Sequence, residues 1–399
     1  MKTLRSTLLA SALALPLAAP LALADTPEGV LVVAQNIDDI VALDPAQAYE
    51  FTSGELVTNL YDRLVQYDAE DTTVLAPGLA SDWEADAEAK TITFTLRDGA
   101  TFASGNPVTV DDVLFSFARV IKLNLTPAFI LTQLGWTAEN IDQMVTAEGN
   151  AVTVKYDGDF SPAFVLNVLA ARPASIVDSV LVKEHEVDGD MGNAWLNENS
   201  AGSGPFKLDR YAPAQMVRMS ANEGYFNGAP EIDSVIIRHV AESATQQLLL
   251  EKGDIDLARN LTPDQIASID NAEIKVETYP QAAVHFLSFN QKTESLTPPA
   301  VWEAARYLVD YEGMTNSIIK GQMDVHQAFW PKGFPGSFDE TPFTYDPEKA
   351  EQILADAGIE TPITVSLDVI NAAPFTDMAQ SLQASFADAG INFEILPGT

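Results

Sequence analysis

The side chains able to do acid–base or metal chemistry are scattered along this chain rather than grouped. No two of the four histidines have the H-x-x-x-H or H-E-x-x-H spacing that binds zinc. They are His185, His239, His285 and His326. The motif Asp188-Gly189-Asp190 begins like a calcium loop but lacks the later ligands. No G-x-S-x-G nucleophile motif is present, so we expect no catalytic residue, no metal ligand and no cofactor.

A glycine-rich segment, Gly202-Ser203-Gly204-Pro205, invites comparison with a phosphate-binding loop. Its proline removes one amide donor, and no lysine–serine pair follows it. The next residues, from Phe206, have the character of a strand, whereas a phosphate loop opens a helix. The segment therefore gives no support to a nucleotide-binding function.

The N-terminus has the pattern of a secretory signal peptide. Lys2 and Arg5 precede an apolar stretch at 8–23, and Ala22-Leu23-Ala24 is a small-x-small cleavage site. A membrane anchor is the alternative, but the stretch contains two prolines and is followed by acidic residues. The chain has no cysteine, so neither a disulfide nor a lipid attached to cysteine can form. We expect a periplasmic protein released by cleavage, neither lipid-anchored nor membrane-spanning.

The charge balance is strongly acidic and excludes one class of partner. The chain has 57 acidic and 22 basic residues, for a net charge of −35. These charges are spread along the sequence rather than collected in a tail, which is typical of a solvated acidic surface. Such a surface repels nucleic acid. We therefore expect no nucleic-acid partner.

The elements that position any site are best defined between Ala76 and Phe117. Apolar and polar side chains alternate at 91–96, as in a half-buried strand. Glycine-containing turns follow, and Thr109 stands three residues before Asp112, which predicts a capping box. Other patterns predict a buried strand at 29–35, a loop at 43–55, a helix carrying the apolar residues of 56–64, a β-rich run at 285–290, a capped helix at 345–358, and a parallel β-α-β unit at 363–370, 375–389 and 391–396.

Several strings in this chain match one signature. The block reads P-x-L-A-x-x-W at 77–83, T-x-x-L-R-x-G at 93–99 and F-x-x-G-x-P-V-T at 102–109, with Val110 in place of a usual alanine. L-D-P stands at 43–45, G-S-G-P-F at 202–206 and G-x-I-D at 253–256. Together they resemble the family 5 extracytoplasmic solute-binding proteins, the peptide- and nickel-type binding subunits of ABC importers.

The resemblance implies an α/β fold like that of type II periplasmic binding proteins. Two lobes are joined by a hinge, and an extra α+β subdomain is inserted in the first lobe. On this basis residues 1–24 are the signal peptide, 25–58 and 190–283 the first lobe, 59–189 the inserted subdomain, and 284–399 the second lobe. Family members run on well past the position of Thr399. We therefore expect a truncated chain with an incomplete second lobe, lacking an aspartate that binds a peptide's α-amino group.

The resemblance also implies a ligand cleft between the lobes. Carried onto this sequence, the lining residues are Tyr49, Phe51, Thr52, Arg259, Asn260, Asn290, Phe329, Trp330, Asn371 and Phe375. Aromatic faces suit apolar side chains, while amides and a guanidinium suit peptide carbonyls or a carboxylate. Core packing is the alternative for Tyr49, Phe51 and Phe329. A surface salt bridge is the alternative for Arg259.

The function implied is capture of di- or oligopeptides by a monomer and their delivery to ABC transporter permease subunits in the inner membrane. Related proteins bind chelated nickel, haem, oligosaccharides or opines, so a non-peptide solute is an alternative ligand. A secreted enzyme acting on small polar substrates is the alternative from another class. A binding protein would be stabilised by its ligand and would leave it chemically unchanged, whereas an enzyme would release a product.

Overall fold

The computed structural model describes residues 26–69, 71–279, 281–334 and 336–398; the predicted signal peptide lies outside them. The strands are β1 (Val30–Gln35), β2 (Val65–Tyr67), β3 (Leu75–Pro77), β4 (Ala80–Asp86), β5 (Thr91–Leu96), β6 (Val145–Glu148), β7 (Ala151–Lys155), β8 (Phe206–Ala212), β9 (Met216–Ala221), β10 (Ser234–His239), β11 (Leu257–Ala258), β12 (Ile363–Ile370) and β13 (Ile391–Gly398). The helices are α1 (Phe51–Leu60), α2 (Val110–Leu123), α3 (Phe129–Thr132), α4 (Ile141–Met144), α5 (Pro162–Leu169), α6 (Ser179–Glu184), α7 (Asn193–Leu196), α8 (Ser243–Glu251), α9 (Pro263–Ser268), α10 (Pro299–Leu308), α11 (Tyr311–Asn316), α12 (Pro347–Asp356) and α13 (Phe375–Ala387). Short 3-10 turns lie at Thr126–Ala128, Arg172–Ala174 and Glu294–Leu296.

The first sheet has the order β11-β1-β10-β9-β8. β1 is parallel to both β10 and β11, so the carboxyl ends of these three strands lie at one edge. Val33 on one face of β1 packs in a core with Leu56 and Val57 of α1, while Val32 on the other face packs near Ile255. The alternation of β1 therefore places helices or turns against both faces of the sheet.

The second sheet has the order β4-β5-β7-β6 and is antiparallel throughout. The inward residues of β5, Ile92 and Phe94, are completely buried against the apolar stripe of α2, which includes Phe117. The predicted capping box is present: the Asp112 carboxylate accepts from the Thr109 backbone N–H at 2.8 Å and from its hydroxyl at 2.7 Å. The block at 76–117 thus has the predicted local structure.

A third core lies in the C-terminal part of the chain. β12 and β13 pair in parallel, connected through α13, and this unit packs against α10 and α12. Phe386 of α13 is completely buried, with its ring 4.8 Å from that of Phe393. The Asp346 side chain accepts from Lys349 N–H and caps α12, as its sequence predicts.

Two predicted elements differ from the structure. The β-rich run at 285–290 forms no strand, because none of the described strands pairs with it. A favourable side-chain pattern cannot by itself supply the hydrogen bonds that the backbone N–H and C=O groups of a strand require. Helix α1 begins at Phe51, earlier than its apolar spacing indicates. Phe51 and Thr52 therefore belong to the first turn of a helix rather than to a loop.

A buried ion pair joins the segment before α1 to α2. Arg119 meets both carboxylate oxygens of Asp44, and its Nε donates to the Met191 carbonyl at 2.7 Å. Asp44 also accepts from Ala46 N–H at 2.9 Å and from the Asn193 amide at 2.7 Å. The two charged side chains are 0% and 1% exposed, so the pair lies wholly inside the protein.

Among the described residues, no single helix combines the length and apolarity needed to cross a bilayer. Only the bent pair Val110–Leu123 and Thr126–Thr132 meets both criteria when taken together.

Candidate functional site

A cleft of about 3460 Å³ lies between the first sheet and the C-terminal core. Its first wall is built at the carboxyl ends of the parallel strands β1 and β11, where Gln35, Asn36 and Ala258 line it. Ligands bind in open α/β sheets at such strand ends, since the loops there diverge. Residues 76–117 contribute nothing to the lining, although they carry the most specific sequence motifs.

The loop after β11 is organised by a buried side chain, Gln246 of α8, which is 0% exposed. Its Oε1 accepts from the backbone N–H groups of Arg259 at 3.3 Å and Asn260 at 3.2 Å. Its Nε2 donates to the Val240 carbonyl at 2.6 Å. One amide therefore fixes the backbone of two cleft residues relative to α8.

Three predicted residues meet on the first wall. Phe51 at the start of α1 is 82% exposed and lines the cleft, which excludes core packing for its ring. Thr52 is buried, and its N–H donates to Asp39 at 3.0 Å. Arg259 forms an ion pair with Glu55 at 2.7 Å, so the surface salt bridge expected as the alternative does form, at the rim of the cleft.

The opposite wall holds further predicted residues. Phe329 is 89% exposed and lines the cleft, so its ring too lies outside any core. Asn290 lines it as well, in the segment that links the two walls. Phe375, the first residue of α13, faces the cleft with its ring 5.1 Å from that of His285. Together with Asn260 and the residues of the first wall, seven of the ten predicted residues line one cavity.

The other three lie outside the lining. Tyr49 packs edge-on against Phe129, with 5.9 Å between the rings. The ring of Trp330 stacks on Phe334, and its carbonyl is 2.6 Å from a ring nitrogen of His326. Asn371 follows β12, where its N–H donates to the Gly398 carbonyl at 2.8 Å. These residues belong to the cleft's surroundings rather than to its surface.

Sequence reasoning missed two residues of this region, Gln246 buried behind the first wall and Arg172 in its lining. Gln246 has no local signal, since it is one of two adjacent glutamines in a helix and only its burial distinguishes it. Arg172 lines the cleft beside α1, and here a signal existed. It is the sole charged residue between Asp159 and Asp178, in an otherwise apolar stretch. A lone cation in such a stretch requires a specific environment.

Behind α1, the chain buries two neighbouring residues of opposite charge, Asp62 and Arg63. Their side chains form no salt bridge with each other. The Asp62 carboxylate accepts from the Ser203 hydroxyl at 2.8 Å and from the Tyr225 hydroxyl at 3.0 Å. Burial raises the pKa of Asp62 and of Tyr225, and it lowers the pKa of Arg63. Gly202 and Gly204 permit this packing, because a Cβ at either would overlap the backbone at the end of α1.

The cleft has the chemistry of a binding site. The described residues include no cluster of three or more histidine, cysteine, aspartate or glutamate side chains arranged for a metal ion. The walls of the cleft combine exposed aromatic rings with amide side chains and guanidinium groups, which suits a ligand that has apolar groups and a polar backbone.

Comparisons with known proteins point to one family. The sequence profile of the bacterial extracellular solute-binding proteins, family 5 Middle, matches residues 74–399. The chain is 33% identical to the probable D,D-dipeptide-binding periplasmic protein DdpA of Escherichia coli, over 87% of this chain and 65% of the relative. It is 29% identical to the E. coli dipeptide-binding protein, over 87% and 68%. The chain thus spans about two thirds of the length of these curated relatives.

Solved structures share the fold. The periplasmic binding protein DppA of Helicobacter pylori, in complex with the peptide STSA, superposes with a TM-score of 0.81 at 24% identity, covering 92% of this chain and 73% of that one. NikZ of Campylobacter jejuni, in complex with Ni(L-His), gives 0.77 at 21%, covering 93% and 74%. These likenesses show the two-lobed α/β fold of periplasmic binding proteins. Because the family profile covers most of the sequence, the chain belongs to family 5 of the bacterial extracellular solute-binding proteins.

Proposed function

We propose that this protein captures di- or oligopeptides in the cleft and delivers them to the permease subunits of an ABC transporter. The observation that carries the proposal is the lining of the cleft, which includes exposed aromatic rings, amide side chains and guanidinium groups. Relatives named for dipeptides support the ligand class. Two solved structures of the same fold hold peptides, STSA and Met-Leu.

The mechanism that this architecture supports is closure of one lobe on the other around the ligand. We assign residues 25–58 and 190–283 to the first lobe, 59–189 to the inserted subdomain and 284–399 to the second lobe. Distinct hydrophobic cores around the three sheet regions support three units, with Tyr61, Val177 and Val182 of the inserted segment packing in the core of the first lobe. A closed, liganded form then docks on the permease in the inner membrane, and no bond of the ligand is broken.

The cellular setting follows from the same comparison. Relatives named as periplasmic proteins support a periplasmic location, reached through the signal peptide at 1–24. We propose that the protein acts there as a monomer without lipid anchor or cofactor. Peptide ligands take precedence over chelated nickel, haem, oligosaccharides and opines, because the relatives named above are dipeptide binders.

Thermal unfolding of the full chain with a ligand panel tests this function. Met-Leu and STSA should raise the melting temperature with increasing concentration, while Ni(L-His) and haem should not. Recovery of the ligand unchanged after incubation separates a binding protein from a secreted enzyme. Stabilisation by nickel–histidine alone would assign the non-peptide alternative, and appearance of a product would assign the enzyme.

Two phenylalanine variants test whether the cleft is where peptides bind. Phe51→Ala removes an exposed ring from the lining, and Phe129→Ala removes one that is 55% exposed elsewhere. Neither ring is in a core, so both variants should unfold like the parent. Phe51→Ala should weaken Met-Leu binding about tenfold, the effect of losing one buried aromatic contact. Equal affinity in the two variants would remove Phe51 from the site.

A further inference from the structure

One hydrogen bond joins the second lobe to the first across the cleft. Gln322 Nε2 donates to the Leu261 carbonyl oxygen at 2.8 Å, and both residues line the cavity. Within the described ranges, no other hydrogen bond and no ion pair connects a residue before position 284 with a residue after it. In that part of the chain, this contact is therefore the polar attachment between the lobes that adds to the backbone itself.

The acceptor of this bond has a fixed place on the first lobe. Leu261 follows Asn260, whose N–H donates to the buried Oε1 of Gln246 at 3.2 Å. It precedes Thr262, the N-cap of α9, whose hydroxyl accepts from the Gln265 N–H at 3.4 Å. The Gln265 side chain in turn accepts from the Thr262 N–H at 2.8 Å, which completes a capping box. The Leu261 carbonyl is thus held between an anchored residue and a capped helix.

The donor side chain belongs to a packed turn of the second lobe. Gln322 follows α11, and its N–H donates to the Ile319 carbonyl at 2.9 Å. Ile319 and Met314 are each 5% exposed, and the Ile319 N–H donates to the Met314 carbonyl at 3.1 Å. Gly321 has a φ of +74°, a left-handed conformation that glycine adopts without strain. The amide of Gln322 is therefore presented from a defined backbone.

A single bond of this kind can bias the relative position of the lobes. The segment at 285–290, which links them, forms no strand, so no sheet hydrogen bonds fix the angle between them there. Lobes linked in this way populate a range of openings, and a contact made in only some of those openings raises their share. An ordinary intramolecular hydrogen bond changes such a population about fivefold.

We propose that Gln322 is a positioning residue for ligand capture. By holding the second lobe against the loop after β11, its side chain keeps the ligand-free cleft partly formed. Less of the binding energy is then lost in bringing the lobes together, so a ligand binds more tightly than it would without this contact. The effect on affinity rests on the proposed capture function and deepens it, whereas the effect on lobe position requires no ligand.

Distances between the lobes of the ligand-free protein test this role. The chain has no cysteine, so spin labels can be attached at Arg210→Cys on β8 and Ala384→Cys on α13, both at exposed positions. Gln322→Met keeps the length of the side chain and removes its donor. Gln352→Met removes an amide that donates to Asp356 at 2.6 Å on the same lobe, so it is the matched control.

Double electron–electron resonance should show one main distance in the labelled parent. In Gln322→Met, the ratio of that population to the more open ones should fall about fivefold, while Gln352→Met should resemble the parent. Gln322→Glu keeps the shape and polarity of the side chain but has no donor at neutral pH, so it should reproduce the methionine variant. The bond is exposed, and each variant should therefore keep the melting temperature of the parent. Distances like those of the parent in both variants of Gln322 would overturn the proposal.

Calorimetry with Met-Leu tests the consequence for capture. Gln322→Met should bind Met-Leu about two- to fivefold more weakly than the parent, and Gln352→Met should bind it equally well. If the distances change as expected but the parent binds no peptide, the effect on lobe position stands and peptide capture is wrong. If the parent binds Met-Leu but the distances in Gln322→Met are unchanged, the positioning role is wrong and peptide capture stands. Changed distances with unaltered Met-Leu affinity would overturn the role of Gln322 in capture.

Discussion

Replacing Arg119 by methionine should destabilise the protein by about 3–5 kcal/mol, the usual effect of removing one partner of a buried ion pair. Arg119 makes two contacts to the Asp44 carboxylate and one to the Met191 carbonyl. After the change, Asp44 retains hydrogen bonds from Ala46 and Asn193 but remains a carboxylate that is 0% exposed. A buried charge without its counter-ion accounts for most of the loss.

The same helix offers a matched control. Lys122, one turn beyond Arg119 on α2, pairs with Asp142 at 3.2 Å, and the two side chains are 37% and 74% exposed. Lys122→Met should change the free energy of unfolding by no more than about 1 kcal/mol, because water screens an exposed pair. Urea unfolding followed by circular dichroism, at neutral pH and fixed ionic strength, measures the free energy of unfolding of both variants. Its dependence on urea concentration should be the same in both.

A double-mutant cycle isolates the interaction. Asp44→Asn keeps an acceptor for Ala46 while removing the charge, and the variant with both changes should lose much less than the sum of the two single losses. Equal and small losses for Arg119→Met and Lys122→Met would refute the reasoning. So would strict additivity in the cycle, since it would show that the two charges do not depend on each other.

Two further predictions concern single side chains. Gln246→Leu should leave the N–H groups of Arg259 and Asn260 without their acceptor and speed their hydrogen exchange at least tenfold. Gln247→Leu on the same helix should not change that exchange. Equal exchange rates in the two variants would contradict the role of Gln246. Burial raises the pKa of Asp190, but hydrogen bonds from three backbone N–H groups outweigh that effect, so the pKa is lowered overall. The ionised carboxylate therefore stabilises the folded state at neutral pH, and this stability is lost as the pH falls through the pKa of the folded state. Asp190→Asn should therefore unfold more easily than the parent at pH 7 and converge with it in acid, as measured by urea titrations across that range.

Much of the fold could be predicted because its signals are local. The capping box at Thr109 and Asp112, the alternation of β5 and the parallel β-α-β unit each depend on residues that are close in sequence. The prediction failed at 285–290, a β-rich run that pairs with none of the strands in the described part of the chain. Strand formation depends on a neighbour far away in the chain, and no local pattern reports whether that neighbour is present.

The candidate cleft was predictable only where it coincides with such local signals. Phe51, Arg259 and Asn290 follow conspicuous motifs, and all three line the cavity. Trp330 and Asn371 are implied by the same resemblance, yet they lie outside the lining. A turn or strand end fixes where the backbone goes to within a residue or two, but adjacent side chains in a loop point in different directions, so the sequence cannot select among neighbours.

The most specific motifs and the cleft are separate for a physical reason. Gly202 and Gly204 are required because the backbone at the end of α1 leaves no room for a Cβ, and Asp44 is required because Arg119 is buried against it. Such constraints come from partners inside the protein, and they produce recognisable patterns in the sequence. Exposed side chains of the cleft such as Phe51 and Phe329 are held by no such packing constraint, so no internal contact records the chemistry of a ligand. Their role must therefore be interpreted from the apolar surface that they expose at the cleft, which the structure shows and the motifs do not.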